Sequence, residues 1–448
     1  MKNPAAKLSP SQYDQNFAEL HPALTPEQAR AEANRCLYCY DSPCMKACPT
    51  HIDIATFIKK IATGNIKGSA KTILESNWVP LTCAKACPVD VLCEGACVYN
   101  DRGEMPIQIG RLQRRAMDWF YEHMPTMFTQ APKNGKTVGI VGSGPAGLAC
   151  GAELALMGYD VTIYEAKSVA GGLDTWGIAP YKMRQEDSLK EIRLVESFGV
   201  KILTNTAVGL DISMDELTAQ HDAIFIGIGL GQKALLRIPG EDLDGVVDAK
   251  DFIETVTKRK WPLVEVGKRV AVIGGGNTAI DAATEAHRLG AEQVLMIYRR
   301  TKDEMPAYEF EVELAMKDDV VFYWLTAPVA IKGNRGVEVL QCIKMRPGKP
   351  DPSGRRLPEP IPGSEFEIPV DMVIKSVGSA TSEATLLSIP GLKLDRGKVL
   401  VDNTTKQTAN PKFFAGGDCI NGGKEVVHAA ADGKLAARGI HGFIFGGK

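Results

Sequence analysis

Two strand–turn–helix patterns constrain this chain more than any other feature. Residues 137–141 read as a buried strand, Gly142-Ser143-Gly144-Pro145-Ala146-Gly147 as a glycine turn, 149–157 as a helix and 160–164 as a returning strand. The pattern recurs with a strand at 269–273, the turn Gly274-Gly275-Gly276-Asn277-Thr278-Ala279, a helix to Leu289 and a strand at 293–298. Each is one βαβ unit, and the repeat predicts two Rossmann-like dinucleotide-binding folds, one per nucleotide.

The chemistry of the two turns differs at the end of the following strand. Glycines allow the tight turn, the close approach of a pyrophosphate and the packing of helix on strand, while amides at the helix N-terminus bind the anion. After the first turn the next strand ends in Glu165, where an acid accepts hydrogen bonds from a ribose. After the second it ends in Tyr298-Arg299-Arg300. A carboxylate would repel a 2′-phosphate, whereas arginine pairs with it, which favours NADP(H) over NAD(H). The alternative is that one or both arginines are solvated surface charge, and NAD(H) then stays open.

A chain of 448 residues exceeds one ordinary core. With 44% apolar and 24% charged residues it is an ordinary globular composition, and a net charge of −2 gives no basic field for nucleic acid. The start MKNPAAKLSPSQYDQN has no apolar signal core, and no apolar run reaches about 18 residues, so a cytoplasmic protein without a membrane span is expected.

Eight of the eleven cysteines lie between positions 36 and 97, in two groups of four: Cys36, Cys39, Cys44 and Cys48, then Cys83, Cys87, Cys93 and Cys97. In a cytosolic chain such clustering indicates metal ligands before disulfides. Zinc sites favour separated C-x2-C knuckles, and here only Cys36/Cys39 has that spacing. The remaining spacings, with proline after Cys48 and Cys87, are those of iron–sulfur proteins, in which a Cys before Pro serves the other cluster. Zinc or unligated thiols are the competing readings. Cys150, Cys342 and Cys419 stand singly, so they read as core residues and disulfide-reductase chemistry is not expected.

These readings divide the chain into a helical iron–sulfur domain (1–130), a first part of an FAD domain (136–260), an NAD(P) domain (261–369) and a second part of the FAD domain (370–448). In the helical domain, Asp53 is placed to cap a helix carrying Ile54, Phe57, Ile58 and Ile61, and a second helix carries Ile66, Ala70, Ile73 and Leu74. The polar stretch 121–136 reads as a linker, and the Pro/Gly-rich piece 346–363 as a surface hairpin without chemistry of its own. A hydride carries two electrons and a cluster accepts one, so a flavin belongs between nicotinamide and clusters. Hydride transfer needs no acid–base side chain, and no catalytic residue is named.

Two further signals make the first turn resemble the FAD site of the two-dinucleotide flavoprotein reductases: Gly171-Gly172-Leu173 and Phe414-Ala-Gly416-Gly417-Asp418. That resemblance implies that Asp418 reaches the ribityl chain and that the NAD(P) domain is inserted into the FAD domain. More closely, residues 24–441 resemble the FAD/NAD(P)-binding portion of dihydropyrimidine dehydrogenase, a separate subunit in bacteria, and are related to the small subunit of glutamate synthase. The residues that carry this are Cys36-x2-Cys39-x4-Cys44-x3-Cys48-Pro, Leu81-Thr-Cys83-x3-Cys87-Pro-x4-Cys93-x3-Cys97 and Ile109-Gly-Arg-Leu-Gln113-Arg.

The resemblance implies two interleaved [4Fe-4S] clusters: Cys36, Cys39, Cys44 and Cys97 on one, and Cys48, Cys87, Cys93 and the amide of Gln113 on the other. Cys83 is then a bystander. By itself Gln113 reads as a solvated polar residue on a helix, and the glutamate synthase branch has Glu there. Lys182 stands where the family has an arginine near the flavin, and Pro306 where the animal enzyme has a 2′-phosphate arginine. The implied function is an electron-input subunit passing electrons from NAD(P)H to an FMN-containing barrel subunit that reduces uracil or thymine, in a hetero-oligomer. The rivals are the small subunit of glutamate synthase or a related NADPH:acceptor oxidoreductase, and a zinc-based sensing module.

Overall fold

The computed structural model describes residues 4–258, 261–351, 354–381 and 386–446. The chain divides into two compact units. One comprises Met1–Glu19, Gly177–Tyr181 and Lys233–Ser379; the other comprises Leu20–Trp176, Lys182–Gln232 and Ala380–Lys448.

In the larger unit the cysteine-rich region is helical. Thr25 caps helix Pro26–Arg35 through a capping box with Gln28. Asp53 accepts from Thr56 N at 3.0 Å and so opens helix Ile54–Ala62, as expected. That helix buries Phe57, Ile58 and Ile61, while Ile66–Ser76 buries Ala70, Ile73 and Leu74. Each fully buried large apolar side chain contributes about 1.5–3 kcal/mol. Helix Ile109–His123 ends on Met124, and an irregular stretch leads into the first sheet.

That sheet is wholly parallel, in the order Phe413–Ala415, Ala223–Ile226, Thr137–Val141, Asp160–Tyr164, Lys201–Leu203. Thr137–Val141 lies between its successor in the chain, Asp160–Tyr164, and the later strand Ala223–Ile226, so the order reverses beside it, and the crevice at its carboxyl end falls on the glycine turn. The last strand needed to complete this sheet arrives from beyond residue 412, as an inserted second domain requires. Helix Val426–Phe445 then packs on helix Pro145–Leu156, so closely that a Cβ on Gly433 would lie 2.2 Å from the Ala146 carbonyl.

The other unit repeats the plan: Val246–Asp248, Met372–Lys375, Arg269–Ile273, Gln293–Ile297, Val321–Tyr323, again all parallel. An antiparallel sheet adds Thr326–Lys332, Val339–Pro350, Arg356–Pro360 and Phe366–Pro369. Val339–Pro350 and Arg356–Pro360 form the hairpin expected over 346–363; residues 352–353 of it lie outside the described residues.

The domain boundaries drawn from sequence shift in two places. The reading placed 233–260 with the first dinucleotide fold and ended the second at 369, but Val246–Asp248 and Met372–Lys375 both pair in the second sheet. Strands of three and four residues without a glycine turn carry no signal of the sheet they join. The opening residues also leave the helical domain: Met1–Glu19 belongs with 233–379. Ala5 N donates to Val266 O at 2.8 Å, and Phe17 stacks on Trp261 at 4.5 Å between ring centroids. Among the described residues no helix is long and apolar enough to cross a membrane.

Candidate cofactor sites

The cysteines sort into sets that ignore their order in the chain. Arg35 is the organiser. Its guanidinium donates to Glu32 at 2.8 Å and to the Met105 carbonyl at 2.6 Å, while Tyr99 OH donates to the Arg35 carbonyl at 2.7 Å. Glu32 also accepts from Gln108 N at 2.9 Å. These bonds pin the segment after Cys97 against the end of helix Pro26–Arg35, and Cys97 comes to line one cavity with Cys36, Cys39 and Cys44. Burial, followed by its neighbours, raises the Cys36 thiol, and burial lifts Cys44 to about 11.

Cys48 closes helix Pro43–Ala47 and Cys87 closes helix Pro80–Ala86. Cys87 bonds first to the neighbouring Cys83 thiol, is raised by its burial, and also feels the charges of Cys93 and Cys48, so all four thiols share a second neighbourhood and its geometry does not itself set Cys83 apart. Burial pushes Cys93 well up. Thiols gathered away from water are a donor set that iron would suit. Among the described residues no three Cys, His, Asp or Glu gather as tightly as a single metal ion requires. A four-iron cluster spreads its cysteines over different irons and does not ask for that.

Gln113 is 6% exposed, so the solvated reading fails: its Nε2 donates to the Pro80 carbonyl at 2.7 Å, at the start of the helix bearing Cys87. Cys83, one turn before Cys87, is buried and accepts from Asn77 Nδ2 at 3.2 Å. Helix Gln185–Ser197 holds that same helix. Glu191 accepts from Leu81 N at 2.6 Å, Thr82 N at 3.1 Å and the Thr82 hydroxyl, and Lys85 pairs with buried Asp187 at 2.6 Å. Burial raises the Glu191 carboxyl to about 8.

At the first glycine turn the loop is shaped by close approach. Gly142 has φ +95°, and a Cβ on it would lie 2.6 Å from the Gly227 carbonyl; one on Gly147 would lie 2.1 Å from the Gly142 carbonyl. A Cβ on Gly144 would meet nothing within 4 Å, so the turn is open to a ligand there. Pro145 is the first residue of the helix and Ala146 is buried behind it. Glu165 accepts from Ser143 N at 3.0 Å, from the Ser143 hydroxyl and from Lys167 N at 2.8 Å. Ser143 Oγ accepts from Gly171 N at 2.9 Å, which brings the Gly171-Gly172 segment beside the turn.

Leu173 follows and is 48% exposed, an apolar side chain left open on the cradle. Its neighbour Asp174 is 3% exposed with Oδ2 unpartnered, and burial pushes its carboxyl well above the usual range. Gly417 N donates to Asp432 at 3.1 Å, and Asp418 accepts from Lys424 N at 3.1 Å. Lys182 is half-buried. An open turn, an exposed leucine and an orphaned buried oxygen fit a large bound group with polar and apolar parts, as FAD is.

The second turn opens on a cavity of about 630 Å³, within the usual range for ligand pockets. Gly274, Gly275, Gly276 and Thr278 line it, as do Arg299, Arg300, Pro306 and Arg355. The ring of Tyr298 fills the space a Cβ on Gly275 would need, Asn277 Oδ1 accepts from Tyr308 N at 3.0 Å, and Ala279 is buried. Arg299 is exposed. Arg300 is turned inward: Nε donates to the Arg356 carbonyl at 3.0 Å and the guanidinium faces Asp351 at 3.7 Å.

The model described as pyridine nucleotide-disulphide oxidoreductase matches residues 136–433. The chain belongs to that family. Residues 13–125 match dihydropyrimidine dehydrogenase domain II, 4Fe-4S cluster. The chain is 35% identical to the glutamate synthase [NADPH] small chain of Escherichia coli, over 96% of this chain and 94% of that one. It is 36% identical to the NADP(+)-dependent formate dehydrogenase subunit beta of Moorella thermoacetica, over 90% of this chain and 60% of that one. In fold it is similar to Mycobacterium tuberculosis FprA in complex with NADPH, with a TM-score of 0.57 at 22% identity over 70% of this chain and 85% of that one. This family member is an oxidoreductase with an iron–sulfur domain ahead of its paired dinucleotide folds.

The sequence reading did not find Asp174, Glu191 or Arg355. The first two are carboxyls whose meaning lies in burial, which no motif marks. Arg355 lies in Gly354-Arg355-Arg356, a basic pair beside glycine in the hairpin, and that was the available signal.

Proposed function

We propose that this chain is the electron-input subunit of a larger oxidoreductase: it takes electrons from NADPH and delivers them singly to a partner polypeptide. The observation that carries the reading is the cavity lined by Cys36, Cys39, Cys44 and Cys97 in the compact unit that also holds the first glycine turn. FAD, when bound, accepts two electrons together and releases them one at a time. Residues 142–147 would hold its pyrophosphate with helix N-terminal amides, Glu165 its ribose and Asp418 its ribityl chain, with Gly171, Gly172, Leu173, Lys182 and Gly417 around it. Residues 274–279 would hold the nicotinamide nucleotide. Cys48, Cys87, Cys93 and Gln113 would hold a second cluster beside the first.

Relatives named as subunits of a glutamate synthase and a formate dehydrogenase support a hetero-oligomer whose acceptor varies. A second reading has a specific observation behind it: buried Gln113 against Pro80, in a segment that matches the dihydropyrimidine dehydrogenase model, supports a partner with an FMN barrel that reduces uracil or thymine. The test is anaerobic purification from the native host, followed by NADPH- and NADH-dependent dye reduction. NADPH oxidation with a copurified amidotransferase-sized chain supports the first reading; uracil-dependent NADPH oxidation supports the second. Zinc in place of iron, with no nucleotide oxidation, overturns both.

A further inference from the structure

We propose that the hairpin over Val339–Pro350 and Arg356–Pro360 supplies half of a phosphate clamp, in which Arg355 and Arg299 together grip the 2′-phosphate of the nucleotide. The inference rests on the reading of the second glycine turn as a nicotinamide-nucleotide site. Arg299 lies two residues beyond the strand Gln293–Ile297, where an acid would otherwise engage the ribose, and Arg355 lines the same cavity from the hairpin. Both are exposed, and among the described residues no ion pair engages either guanidinium. Arg300, by contrast, is committed to Asp351 and to the Arg356 carbonyl.

The backbone around Arg355 is held on both sides. Asp351 N donates to Arg355 O at 2.7 Å and Arg355 N donates to Asp351 Oδ1 at 3.2 Å, while Arg356 N donates to Glu304 Oε1 at 2.8 Å. Glu304 is in turn bonded to Thr301, just past the two strand-end arginines. The arginine pair thus divides its work: Arg300 is a positioning residue that ties the hairpin to the strand end, and Arg355 is the contact residue. Two unpaired guanidiniums facing one cavity suit a phosphomonoester dianion, which accepts paired N–H bonds from planar forks.

The experiment is titration calorimetry of the full chain with adenosine 2′,5′-bisphosphate and with 5′-AMP, which needs no flavin turnover. The wild-type chain should bind the bisphosphate at least about tenfold tighter than AMP. Arg355→Ala and Arg299→Ala should each remove about tenfold of bisphosphate affinity and leave AMP within about twofold, with Arg355→Lys intermediate. Unchanged bisphosphate affinity in Arg355→Ala, or equal losses for both ligands, overturns the clamp while leaving the nucleotide site intact. Failure of the wild-type chain to bind either ligand overturns the clamp and the nucleotide-site reading together.

Discussion

The two glycine turns sit at equivalent places in two sheets of the same design, yet they are finished differently. At the first, the acid at the strand end is already bonded to the turn: Glu165 holds Ser143 and Lys167, and Ser143 holds Gly171. At the second, the strand-end charge of Arg299 stands open and a hairpin adds Arg355. Under the proposed function, with FAD at the first turn and NADPH at the second, that difference would suit one ligand that stays and one that exchanges.

The sharpest way to break this contrast is a methyl group at each turn. Gly147→Ala puts a Cβ 2.1 Å from a backbone oxygen, so the turn must open, and retained flavin should fall below about a tenth of wild type. Gly276→Ala meets nothing within 4 Å. It should leave flavin content and melting unchanged and weaken nucleotide binding alone. Flavin content by absorbance, read beside nucleotide titration, separates the two.

A second comparison uses the charged residues. Glu165→Ala leaves the buried Ser143 amide without its acceptor, at about 1–3 kcal/mol, whereas the exposed Lys167 amide can turn to water, and thermal unfolding should show the loss. Arg299→Ala removes an exposed side chain and should leave the unfolding curve where it was.

A third test concerns the helix Pro80–Ala86, which Glu191 holds, and reads a slope with pH in place of a single loss. Glu191 has a folded-state value of about 8 because burial disfavours its charge, against about 4.3 when unfolded. A carboxyl raised in this way retains in the folded chain a proton that the unfolded chain has lost. Its contribution is therefore complete below about pH 4 and is lost as pH rises toward 8. Glu191→Gln should flatten that slope in apparent melting temperature, and an unchanged slope would assign it to other groups.

Much of this was legible in the chain. The strands Thr137–Val141, Asp160–Tyr164 and Arg269–Ile273 appear where buried runs abut glycine turns, because a βαβ unit is specified within about 30 residues. What was hidden depends on distant partners. The path of residues 4–19, the sheet that claims Val246–Asp248, and the division of labour between Arg300 and Arg355 are each decided by contacts far along the sequence. The cysteine spacing pointed to iron–sulfur ligation and the family resemblance already grouped Cys97 with Cys36, Cys39 and Cys44; what the fold adds is the physical cause, the Arg35–Tyr99–Glu32 contacts that bring the segment after Cys97 to the end of helix Pro26–Arg35.

That grouping underlies the whole electron route, and one measurement addresses it: the iron content of the double variant Cys44→Ser/Cys97→Ser, purified anaerobically beside wild type. If both thiols serve one cluster, the variant keeps about half the wild-type iron, about four atoms of eight per chain. If the cysteines are instead partitioned in sequence order, each substitution strikes a different cluster, and nearly all the iron is lost.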